Sequence, residues 1–177
     1  MTTSATVASK LLALTKEFVD VCLVEAKNLK FDKQHPQQLY SICTYGSLLE
    51  LASGIVLHAE AKQTICIPIL MRSFLDAFAT FGCCIKDPNH FKAMYASFTK
   101  EKLRLLDAAT ENPANPYLAG LAASMDAASE KSRLTKELAD IKGQGYRPLK
   151  PWEEFQKADL SAEYQSLYWQ LCLHAHN

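Results

Sequence analysis

Residues 63–85 read QTICIPILMRSFLDAFATFGCCI, and this stretch decides the fold. It is apolar over about 22 residues, long enough to cross a bilayer. Yet Arg72 and Asp76 stand at its centre, where each would cost roughly 2.5–3.5 kcal/mol in a membrane. Its flanks are polar and the sequence offers no second such span, so the segment predicts a buried core helix. Pro68 should kink it or mark its first full turn.

Working outward, helical periodicity dominates. No stretch sustains polar/apolar alternation, and only six glycines punctuate the chain, which excludes the strand-rich classes. Upstream, a first helix is expected from about Thr3 to Asn28, its apolar line Leu11, Leu14, Phe18, Val21, Cys22 and Val24. Pro36 then opens a second helix running to about His58. The short link that follows should return the 63–85 helix antiparallel to it. Downstream, Asp87-Pro88 predicts the start of a fourth helix, ending before Asn112-Pro113. Asn115-Pro116 opens a fifth, read as far as Ile141. Lys142–Pro151, KGQGYRPLKP, is a loop. A short turn over Trp152–Ala158 leads to a closing helix capped by Asp159 or Ser161. The expectation is one all-α domain over residues 1–177, a bundle of about six helices around a central hairpin of helices two and three. The chain stops one residue after His176, inside a helix with no cap, which predicts a shortened C-terminus.

Composition narrows the function classes. Lys+Arg and Asp+Glu are balanced at 19 each, so no net field draws nucleic acid or anionic lipid, and an RNA-directed role needs a local patch. The cysteines at 22, 43, 66, 83, 84 and 172 form no CxxC pair. They are read as reduced core thiols of a cytoplasmic protein, with neither metal nor cofactor expected. There is no nucleophile elbow, no HExxH and no Glu-x-x-His pair, which weighs against the familiar hydrolase and di-iron sites.

Three clusters remain as candidates. Glu50, Arg72 and Asp76 are the interior charges of helices two and three, and the rise per residue puts them at nearly the same depth. One guanidinium bridging two carboxylates would lock the hairpin. The alternative is a pocket where Arg72 meets an anionic ligand. Cys172, His174 and His176 close the chain; Cys172 with His176 is half a metal site, and His176 is a candidate general base. In the loop, Lys142, Arg147 and Lys150 with Tyr146 could contact phosphates and stack a base, against the plainer reading of a solvated connection.

Two stretches also carry a family resemblance. Ile67–Ala77, IPILMRSFLDA, resembles the Leu-x-Arg-Ser-x-x-Glu/Asp-Ala helix of an uncharacterised bacterial family of unknown function. Tyr164–Asn177, YQSLYWQLCLHAHN, resembles that family's closing Tyr-x-x-x-Tyr-x-x-x-Ser-x-x-x-His-Pro/Asn helix. The matching positions are Arg72, Asp76, Tyr168, Cys172 (where the family often has Ser) and His176. Such proteins resemble the HEPN group of helical bundles, many of them ribonucleases of toxin–antitoxin and phage-defence systems that work as dimers. The resemblance implies a homodimer acting on RNA or a nucleotide, with Arg72, Asp76 and His176 as catalytic residues. The hallmark Arg followed four to six residues later by His is absent here, so the active pair would have to come from two helices. The competing readings are a non-catalytic interaction module and a small-molecule-binding bundle with its pocket at Arg72.

Overall fold

The computed structural model describes residues 2–124 and 126–175. It is all-α, with no strand among the described residues: α1 (Thr2–Ala26), α2 (Pro36–Glu60), α3 (Cys66–Lys86), α4 (His90–Glu111), α5 (Pro116–Ser124), α6 (Ala127–Gly143) and α7 (Pro151–Lys157). A closing helix follows, made of α8 (Ser161–Glu163), a π-helical turn (Tyr164–Tyr168) and α9 (Trp169–Ala175). The chain divides into two compact units, Met1–Pro88 with Pro151–Asn177, and Asn89–Lys150.

In the first unit α2 and α3 form the most extensive helix pair, the hairpin the sequence leads one to expect. Pro36 opens α2 with His35 extended before it. At the far end the Gln63 N–H donates to His58 O at 2.8 Å and the Lys62 N–H to Ala59 O at 3.1 Å. This is a Schellman cap, with Lys62 at φ 57° in the left-handed position that normally takes glycine. Pro68 falls in the first turn of α3, where its missing N–H breaks no helical bond. By length and composition alone α2 passes the same membrane-span test as α3, a second apolar helix that the sequence reading did not count.

Both α7 and the closing helix pack on α3. Their shared core is Leu75 and Ala79 from α3, Phe155 from α7, and Tyr168 and Leu171 from the closing helix. Gly82 permits this approach, since a Cβ there would lie 3.1 Å from the Ala158 Cβ. Lys157 pairs with Asp87 at 2.6 Å, and Lys86 pairs with Asp159.

Several expected boundaries move. Asp87 does not start α4; it closes α3 with an extended backbone, the conformation its neighbour Pro88 imposes, and Asn89 precedes the new helix. Asp159 does not cap the closing helix. It is the left-handed residue, φ 63°, of a second Schellman cap at the end of α7, where Leu160 N–H donates to Phe155 O at 2.8 Å. In the second unit the single long helix read from Pro116 to Ile141 is α5 and α6. Asp126 divides them, its carboxylate accepting the Ser129 N–H at 3.2 Å.

All six cysteines are free. Burial pushes the Cys83 thiol up to about 12 and that of Cys84 to about 11. At pH 8 a thiol reagent should therefore label exposed Cys43 first and reach Cys83 and Cys84 only on unfolding, as site-resolved mass spectrometry would show. Lys62→Gly should stabilise the protein by roughly 0.5–1 kcal/mol by relieving the left-handed backbone. A lowered melting temperature would contradict the cap assigned here.

Candidate functional site

α3 and the closing helix bring the motif residues together. The Arg72 guanidinium carbon lies 5.7 Å from the centroid of the Tyr168 ring, within cation–π range. The Tyr168 hydroxyl donates to Asp76 Oδ2 at 3.5 Å, a long bond. Tyr168 thus bridges two residues one turn apart on α3. It is only 5% exposed, held by Phe155 at 5.0 Å and stacked on Tyr164 at 5.1 Å between ring centroids. Cys172, half-buried, packs beside them.

The π turn helps set this arrangement. Over Tyr164–Tyr168 the helix is wound wider than an α-helix, with i→i+5 bonding, which changes the direction in which the residues beyond it face α3.

Glu50 is absent from the cluster. It is exposed, on the α2 stripe that also carries Cys43, Ser47 and Leu57, and no ion pair joins it to Arg72 among the described residues. Matching depth along two helices fixes height but not the direction a side chain points around its axis. Arg72 turns toward the closing helix instead, and its buried Nε has no hydrogen-bond partner among the described residues.

The sequence reading missed two members. Thr80, one turn beyond Asp76, donates within 3.0 Å of both the Asp76 carbonyl and Glu154 Oε2. A hydroxyl has one hydrogen and cannot serve both oxygens at once. The geometry is satisfied when Glu154 carries a proton and donates it to Thr80, which then donates to the carbonyl. Burial raises Glu154 from its ordinary value, opposed by Thr80 and reinforced by the charge of Asp76. Burial likewise raises Asp76, opposed by Tyr168 and then Arg72. The only sequence signals were the helical spacing of Thr80 from Asp76 and the acidic first turn of Pro-Trp-Glu-Glu.

Arg72 itself is held above its ordinary value, chiefly by the Tyr168 phenol. The site therefore combines a permanent cation with two carboxyls that resist ionisation. It can hold an anion and exchange protons.

His176 lies outside the described residues, so the geometry of the Arg72, Asp76 and His176 set stops at its first two members. Lys92 Nζ of α4 sits 4.8 Å from the ring centroid of the loop residue Tyr146 and donates to Gln144 at 3.1 Å, covering one face of that ring. Lys142, Arg147 and Lys150 are exposed. No three His, Cys, Asp or Glu side chains among the described residues group as metal ligands.

Comparison with known proteins adds one match. A family of unknown function (DUF5677) matches residues 38–177, which takes in both motif helices. The chain belongs to this family. No curated protein and no solved structure matches it. The DUF5677 match begins inside α2, so α1 precedes it, whereas Arg72, Asp76, Thr80, Glu154 and Tyr168 all fall within it.

The carboxyls set a pH dependence. Their folded pKa values are raised, so between the unfolded and folded values the folded chain binds more protons than the unfolded one, and stability falls as pH rises through that window. Acidifying from neutrality toward the ordinary carboxylate range should raise the melting temperature. Glu154→Gln should flatten the slope and stabilise at pH 7. An unchanged slope in the variant would show that Glu154 ionises normally.

Proposed function

We propose that this family member is a HEPN-like helical bundle that binds a phosphate-bearing ligand, RNA or a nucleotide, at Arg72. The observation that carries the reading is an arginine with a buried unpaired Nε and no carboxylate ion pair among the described residues, presented by a phenol locked in the core. Its nearest acid, Asp76, is pushed toward its neutral form, which leaves the guanidinium charge for an external anion. Arginine suits phosphate because its planar fork donates two parallel hydrogen bonds.

In this reading Arg72 steadies the phosphate and Asp76 or His176 moves the proton in any cleavage of an RNA strand. A bacterial defence or toxin–antitoxin setting and a reducing cytoplasmic interior complete the proposal, the latter supported by six free cysteines. The exposed loop residues Lys142, Arg147 and Lys150, with Tyr146, are a separate candidate contact for nucleic acid.

A second reading, a non-catalytic module in which Arg72 only clamps the closing helix, draws support from the burial of Tyr168. Binding measurements separate the two. Fluorescence anisotropy with short single-stranded RNA and with a nucleoside triphosphate should show Arg72→Ala weakening affinity at least about tenfold, or about 1.4 kcal/mol. Arg72→Lys should recover only part of it. Loss of melting temperature with no measurable RNA or nucleotide binding in the parent protein would favour the clamp.

A further inference from the structure

The surface of α1 is anomalous. Five large apolar side chains, Val7, Leu11, Leu14, Phe18 and Val21, are between 55% and 67% exposed. They recur at spacings of four, three, four and three residues, the pattern of a coiled-coil seam. This is not the face that holds α1 to the rest of its unit. Val19 is buried and Leu12, Cys22 and Ala26 are half-buried on a different side of the helix, where Lys16 also pairs with Glu60 of α2 at 2.6 Å. α1 is therefore apolar on two faces and has a partner for one.

We propose that the exposed face of α1 pairs antiparallel with the same face of a second copy of this chain. Charge selects the occupant and the direction. Lys10 and Glu17 line one edge of the seam, both exposed, and neither has an ion-pair partner among the described residues. In an antiparallel pair that stacks Leu11 on Leu14 of the second copy and Phe18 on Val7, Lys10 of each chain meets Glu17 of the other, giving two pairs across the twofold axis. The opposite edge is neutral, with Ala8 near Thr15. A parallel pair would set Lys10 beside Thr15 and Glu17 beside Cys22, with no complementary charge.

The seam spans about 21 Å of helix. α1 lies before the segment matched by the family model, and the contact uses none of the residues at the Arg72 site.

Sedimentation equilibrium of the full chain, with circular dichroism to confirm helix content, tests the proposal. The parent protein should be dimeric in the micromolar range. Leu14→Glu with Phe18→Glu should be monomeric and equally helical, since both side chains are exposed in the single chain. Lys10→Glu should weaken the dimer at least about tenfold, and adding Glu17→Lys should restore it. A monomeric parent protein, including one that instead binds vesicles of anionic lipid through α1, would overturn the inference. So would a dimer indifferent to Leu14→Glu with Phe18→Glu, or a charge-swapped variant that fails to recover.

Discussion

Phe155 and Tyr168 reach α3 because that helix offers them small residues. Ala79 is fully buried and Gly82 carries no side chain where Ala158 arrives. Larger groups at either position would hold α7 and the closing helix away from α3. The separation of Arg72 from Tyr168, the long bond to Asp76 and the Thr80–Glu154 contact all depend on that closeness. Dispersion between well-packed atoms falls off within a fraction of an ångström, so the core and the polar cluster beside it stand or fall together.

The two units use charge differently. In the second, Lys102, Glu130 and Arg133 form a partly exposed chain that reaches Tyr95 through Glu137. Arg133 and Lys102 hold Glu130 down to about 2, but water screens such pairs and each contributes little to stability. In the first unit Asp76 and Glu154 are raised by burial instead. A fold can tolerate that cost when neighbouring groups such as Thr80 and Tyr168 satisfy the oxygens. This contrast, rather than the number of charges, sets the candidate cluster apart from a solvated face.

Much of this was legible in the residues. Pro36 and Asn112-Pro113 mark true helix ends, and the apolar length of residues 63–85 identifies the central hairpin helix. The motif positions Arg72, Asp76, Tyr168 and Cys172 do meet. The failures share a cause. Asp87-Pro88 and Asp159 have the chemistry of helix starts but sit where the preceding helix ends, Asp87 in the extended backbone that Pro88 imposes and Asp159 in the left-handed position of a Schellman cap. Glu50 was placed by height alone, because periodicity within one helix says nothing of the azimuth at which its neighbour faces it. Glu154 was invisible because its partner Thr80 is 74 residues away in sequence.

The π turn at Tyr164–Tyr168 bears on the history of the site. An α-helix that gains one residue without lengthening its neighbours absorbs it as a π turn, and everything beyond is rotated by about 100°. Deleting one residue there would return the helix to regular α geometry and swing Tyr168, Leu171 and Cys172 off the face that meets α3. Among relatives, gaps within 164–168 would therefore mark the lineages that gained or lost the Tyr168 bridge. Substitution could leave both motif helices intact while a single insertion decided whether they meet.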